Sequence, residues 1–342
     1  MKKERNSNIE LLRIILMFMI MALHANLIVI DFPTVEEVTE YPLHSFMRFF
    51  NEYLCIGAVN TFVLISGWFG IKYKTKGLCN FLFQCLFFSL IITLPFILSG
   101  KIELNKTNLL SSVLLYKNAY WFVWSYLILY IISPMLNSFI ENSDKHTYRN
   151  VLISLFIVQT VVSVFTRLGI YNTGYHPLSF IALYMLARYT NVYRCIPTKY
   201  TAMGGFLACV ITNTLLGFLP AYLMGEDSVF TDLTLSYTNP LNIAGALFLL
   251  LFFVQIELKS KIINYISVSC FSVYLLHTHF CLWNYYSLIT KSIYNNYSGF
   301  EYYITIILFM TSVFIAAIII DKIRIICFDY LWNRIDKSVK SN

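Results

Sequence analysis

The chain has 342 residues, of which 58% are hydrophobic, 17% aromatic and only 13% charged, with a mean hydropathy of +0.65. A soluble globular domain carries about 25% charged residues, so this composition excludes one and predicts an all-α integral membrane protein. The net charge of +7 calls for no nucleic-acid partner, because cations collect where a membrane protein meets the cytoplasmic surface of the lipid bilayer.

Apolar runs near the roughly 17–25 residues that a spanning helix needs predict a single bundle of about ten transmembrane helices, one domain over 1–342. They lie near 9–30, 53–71, 78–99, 120–140, 151–168, 177–190, 200–224, 239–256, 262–289 and 302–320. The run at 177–190 is short, and 107–118 leaves room for a re-entrant turn. Lys2, Lys3 and Arg5 ahead of an apolar run resemble a signal peptide. The length of the run, the Arg13 inside it and the lack of a small-x-small cleavage site predict a retained first helix instead.

The first span holds two ionisable residues, Arg13 and His24, each costly to place away from water. Eleven positions at about 100° per residue bring His24 back to within about 20° of Arg13, and at about 1.5 Å per residue they lie on the order of 16 Å apart. One face would thus offer a cation at one depth and an imidazole at another, which suits an anionic donor and proton transfer. The alternative has Arg13 snorkelling to pair with Glu10 one turn back, and His24 packed among helices.

The second span carries Asn60, Ser66 and Gly67, polar or small residues that either line a pocket or let helices approach closely. The fourth opens on Tyr120-Trp121-Phe122-Val-Trp124-Ser-Tyr126, an interfacial belt or a rim that stacks on sugar rings. In the ninth, His277 and His279 stand two residues apart and so project about 200° from one another on a helix. They cannot share a metal as i,i+4 ligands would, no carboxylate lies within a turn, and no metal site is predicted. One of the pair would face the bundle interior, the other water or lipid headgroups. His277 falls roughly level with His24, so two imidazoles could line one cavity unless packing satisfies them.

Most of the 25 Lys and Arg residues fall on one side of these spans. They include Lys72, Lys74, Lys76, Arg188, Arg194, Lys199 and a tail from Lys322 to Lys340, while Asp31, Glu36, Glu37, Glu40, Glu226, Asp227 and Asp232 fall on the other. This positive-inside bias and the even span count predict a multi-pass protein of the cytoplasmic (plasma) membrane with both termini inside. The eight cysteines form no CxxC pair and read as small apolar residues.

Four segments together resemble the acyltransferase 3 family of polytopic O-acyltransferases. Arg13 to His24 matches its Arg/Lys-x10-His motif. Phe62-Val-Leu-Ile-Ser66-Gly67-Trp68 resembles its Phe-Phe-x-Ile-Ser-Gly-aromatic signature. Tyr120-Trp-Phe-Val-Trp-Ser-Tyr-Leu-Ile-Leu-Tyr130 with Ser133-Pro134 is similar to its Trp-Phe…Ser-Pro helix, and Ser272-Val-Tyr-Leu-Leu-His277 to its closing segment. The order is kept from the first span to the ninth. One departure stands out: Asn60 occupies the place where many members carry Asp. The hydrolase-like domain appended to longer members is missing from this sequence, so the membrane part is expected to complete the transfer.

The resemblance implies transfer of an acyl group, most often acetyl, from acyl-CoA to a hydroxyl of an envelope or surface carbohydrate. Acyl-CoA (acetyl-CoA) would be a co-substrate, with no bound cofactor. Arg13 and loop cations would hold the donor phosphates, and His24 would act as general base or form a transient acyl-histidine. Ser66 or Asn60 would stabilise the oxyanion, with Gly67, Trp121 and His277 as further pocket candidates. The alternatives are a transporter or flippase of a glycan or lipid precursor, and an acyltransferase acting on a lipid or an amine.

Overall fold

The computed structural model describes residues 5–103, 105–106, 120–161, 174–225 and 233–341, with side chains described to residue 336. The described residues are mostly helical, 83% of them in helices, without strands. The stretch 107–118, the end of the 151–168 span and the acids Glu226, Asp227 and Asp232 lie outside them.

Among the described residues, seven helices are long and apolar enough to cross a membrane: Ser7–Val29, Pro42–Phe69, Thr75–Leu98, Trp121–Asn142, Lys199–Met224, Leu233–Phe253 and Gly299–Asp336. The chain divides into two compact units, Met1–Lys72 with Phe122–Lys261, and Tyr73–Trp121 with Ile262–Asn342.

The first unit begins with α1 (Ser7–Leu23), which passes at His24 into a π-helical turn, His24–Val29. A short α2 (Val35–Glu40) leads into α3 (Pro42–Cys55) and α4 (Ala58–Phe69). Pro42 stands in the first turn of α3, where its missing N–H costs nothing. The second span therefore starts near residue 42 and not 53, and it takes Arg48 and Glu52 with it. α4 ends at Gly70, whose φ of 71° favours glycine. Then come α6 (Trp121–Asn142), α7 (Lys145–Val161), α8 (Pro177–Val192), α9 (Lys199–Met224) and α10 (Pro240–Phe253). Caps fix several starts: His176, Thr198 and Asn239 each accept a backbone N–H from the turn that follows. α4 packs on α8, α9 on α10, and α1 on α3 and α4. Asn8 Nδ2 donates to the Phe253 carbonyl at 2.8 Å, tying the start of α1 to the end of α10.

The α4–α8 contact is set by Gly67. A Cβ there would stand 2.4 Å from the Tyr184 carbonyl oxygen and 3.0 Å from the Ala187 Cβ, so the pocket candidate of the sequence is a packing position. Gly67→Ala is expected to destabilise the protein by about 1–3 kcal/mol, the usual cost of overpacking. A lower thermal midpoint in detergent would show it; an unchanged midpoint would mean that the two backbones separate freely.

The second unit holds α5 (Thr75–Leu98), α11 (Lys261–Ser267), α12 (Phe271–His277), α13 (Phe280–Asn296) and α14 (Gly299–Ser341). The single ninth span expected over 262–289 is thus three short helices. Tight turns after Ser267 and again at Thr278, with His279 in extended backbone as the cap of α13, break it. The last helix continues well past 320, so the basic segment from Lys322 is not a free tail. Within it Asp321 and Arg324 are buried and paired at 2.8 Å. Gln84 Nε2 donates to Asp321 at 2.9 Å, and Arg324 donates to Asn80 Oδ1 at 2.6 Å, so α5 completes the network that a buried charge pair needs.

Candidate active site

α1 runs unbroken from Ser7 to Leu23, which preserves the angular relation between Arg13 and His24 along one helix. Arg13 Nη1 donates to Glu10 Oε1 at 2.8 Å, and Arg5 lies 3.7 Å from the other carboxylate oxygen. Glu10 is buried, whereas the Arg13 side chain keeps 31% of its exposure. The ion pair expected as the alternative for Arg13 therefore exists, and the guanidinium still presents part of its surface.

Arg13 lies within electrostatic reach of Tyr126 on α6. The Tyr126 hydroxyl stands 3.1 Å from Ser66 Oγ on α4, and Ser66 also donates to the Phe62 carbonyl at 3.3 Å. Tyr126 stacks on Phe122, with ring centroids 5.6 Å apart and planes at 14°. Three elements of the first unit thus bring a cation, a phenol and a hydroxyl together. One turn beyond Ser66, α4 ends at Gly70, where the Arg188 guanidinium lies alongside. Arg188 Nε has no hydrogen-bond partner among the described residues. The adjoining backbone is gripped by side chains: Tyr184 Oη accepts from Ile71 N at 3.0 Å, Asn137 Nδ2 donates to Ile71 O at 2.9 Å, and Asn191 Nδ2 donates to Trp68 O at 2.7 Å.

Asn60 is not part of that cluster. It is buried, and its Nδ2 donates to the Tyr237 carbonyl at 2.9 Å, so this donor is engaged in joining α4 to the segment ahead of α10. His24 is half-buried at the first position of the π-helical turn, a feature that is rare and frequent at functional sites.

The remaining candidates, His277 and Trp121, belong to the second unit. His277 is buried at the end of α12, its Nδ1 2.6 Å from the Val273 carbonyl and its ring 5.5 Å from Tyr286. His279 is buried as well. Its Nδ1 accepts from Cys281 N at 3.2 Å, its Nε2 lies 3.5 Å from Thr93 Oγ1, and its ring stacks on Phe280. The expectation that one of the pair faces water or headgroups is overturned, because the helix breaks between them and the 200° divergence does not apply. Trp121, the first residue of α6, is half-buried.

Sequence reasoning missed a buried group on α3. Glu52 and Arg48 both contact Asn26 of the π-helical turn. With the second span begun at 53, Arg48 and Glu52 fell outside it; Pro42, a start signal for α3, would have corrected this.

A many-helix membrane protein with half-buried polar side chains on α1, α4 and α6 defines the class as a polytopic membrane enzyme or carrier. A family model described as an acyltransferase domain matches residues 6–321, and the chain belongs to that family, acyltransferase 3. It is an acyltransferase of the general kind, and this sets the transporter alternative aside. No curated protein and no solved structure matches the chain.

Proposed function

We propose that the protein moves an acyl group, most simply acetyl, from acyl-CoA to a hydroxyl of an envelope or surface carbohydrate. The observation that carries the reading is an acyltransferase domain spanning 6–321 whose first helix holds Arg13 and His24. Neutral His24 takes the proton of the attacking hydroxyl, whose oxygen adds to the thioester carbonyl. The tetrahedral adduct then collapses, the C–S bond breaks, and the CoA thiolate recovers the proton from the imidazolium. Arg13 and Arg188 are the cations of the first unit that meet the donor's phosphates, in keeping with its partly uncovered guanidinium in one case and a free Nε in the other. Ser66, in the cluster with Tyr126, is the better oxyanion donor, since Asn60 is buried outside that cluster. The positive-inside pattern favours a cytoplasmic N-terminus in the plasma membrane.

The test is transfer of label from radiolabelled acetyl-CoA by the purified, detergent-solubilised protein, with the cell's envelope glycans as acceptor. Labelled glycan is the expected product. Label on a lipid or an amine would keep the donor chemistry and correct the acceptor, and a folded protein that consumed no acetyl-CoA would overturn the reading.

A further inference from the structure

The polar group on α3 has no part in the chemistry above, yet it sits against the helical turn that bears His24. Asn26 lies two residues beyond His24 and is buried. Its Nδ2 donates to Glu52 Oε2 at 2.9 Å and to the Arg48 carbonyl at 3.2 Å, and its Oδ1 accepts from Arg48 Nε at 3.2 Å. Arg48 and Glu52 stand four residues apart on one face of α3. Arg48 reaches further, donating through Nη2 to the Asp31 carbonyl and standing 3.8 Å from the Glu37 carboxylate. Asp31 closes the segment after the π-helical turn with a φ of 71°, a left-handed conformation that a non-glycine residue holds only when its surroundings impose it. One face of α3 therefore grips the turn near its start and the chain just beyond its end.

A π-helical turn carries one residue more than the α-helix would, and Ile30 N bonds to the carbonyl of Ala25, five residues back. Losing that extra residue would rotate one side of the helix against the other by about 100°. The register between α1, at whose end His24 stands, and the chain beyond the turn thus depends on something that prefers the wide turn. Glu52 has the marks of such a device. It is fully buried, one carboxylate oxygen is given to Asn26, and the other has no hydrogen-bond partner among the described residues. A buried carboxylate is costly to place away from water unless it is hydrogen-bonded, and its bond runs to Asn26.

We propose that Asn26, held by Arg48 and Glu52, is a positioning residue that fixes the π-helical turn and with it the placement of His24. The inference rests on the reading of His24 as the proton acceptor.

Asn26→Leu and Glu52→Leu remove the grip, whereas Glu52→Gln keeps an oxygen that accepts from Asn26. Misplacement of a reacting group by about 1 Å costs on the order of 10²-fold. The two Leu variants should therefore lose about that much kcat, with the KM for acyl-CoA within about twofold of wild type because donor contacts are untouched. Glu52→Gln should keep most of the activity. Modification of His24 by diethyl pyrocarbonate, followed by peptide mass spectrometry in the inserted protein, gives a second readout; its rate should change in the Leu variants and not in Glu52→Gln. Should Asn26→Leu fail to insert, Asn26→Ser, too short to bridge to Glu52, serves the same test. Inserted variants with wild-type kcat and an unchanged modification rate of His24 would overturn the proposal. If His24→Ala itself keeps full activity, the catalytic reading falls while the modification rate still reports on the grip.

Discussion

Replacement of His24 by Ala is expected to lower kcat by about 10²–10⁴-fold, the range a positioned acid–base group supplies, while the protein remains inserted and folded. Structure and chemistry separate this histidine from His277 and His279. His277 and His279 are buried, each beside a backbone partner at the end or start of a short helix. Their loss removes packing and helix-end contacts first. His24 keeps part of its surface and occupies the first position of a widened turn. His277→Ala should accordingly lower the thermal midpoint and reduce turnover less than His24→Ala does, once both are normalised to inserted protein. Wild-type turnover by inserted His24→Ala would refute the assignment. A greater loss of kcat in a stable His277→Ala would mean that the two roles are reversed.

The fold class was legible because burying an apolar stripe in lipid leaves a composition that nothing soluble shares. The family was legible because its motifs keep their order along the chain. Span boundaries were less so. Hydropathy alone begins the second span after Glu52, since a charged residue counts against a membrane segment whether or not a neighbour satisfies it. Asn26 hydrogen-bonds Arg48 and Glu52 across 22 to 26 residues of sequence, and no local window can see that. The same holds for Asp321 and Arg324, which read as the edge of a tail until Gln84 and Asn80 are placed beside them. The breaks at 268–270 and 278–279 carry neither proline nor glycine, so the usual punctuation was missing and one long span was expected. Of the proposed site, Arg13, His24 and Ser66 were legible as candidates. Tyr126 lies inside the Tyr120–Tyr130 motif, but its contact with Ser66 needs α4 and α6 to be packed.

Arg13 offers the sharper separation of donor binding from chemistry. Loss of a hydrogen bond to a charged partner costs about 1.5–3 kcal/mol, so Arg13→Ala should raise the apparent KM for acyl-CoA by about 10–100-fold if the guanidinium meets the donor's phosphates. Some kcat should fall with it where the thioester is left misplaced. Arg13→Lys should retain more activity, since a phosphate accepts a point charge as well as a fork. The rival explanation is the ion pair: Arg13 meets Glu10 at 2.8 Å, and that contact would be its whole purpose. The two readings part at Glu10→Gln. If pairing is all that Arg13 does, Glu10→Gln harms the enzyme as much as Arg13→Ala, and the double variant is no worse than either. If the donor is what Arg13 binds, Glu10→Gln leaves the cation in place and should keep the donor KM within a few fold of wild type. Arg5, 3.7 Å from the same carboxylate, remains in every variant, so the comparison isolates Arg13. Steady-state kinetics on Arg13→Ala, Arg13→Lys, Glu10→Gln and the Arg13→Ala/Glu10→Gln double variant, each normalised to protein in the membrane, decide between the two. An unchanged donor KM in Arg13→Ala would remove it from the donor site and leave the phosphates to Arg188.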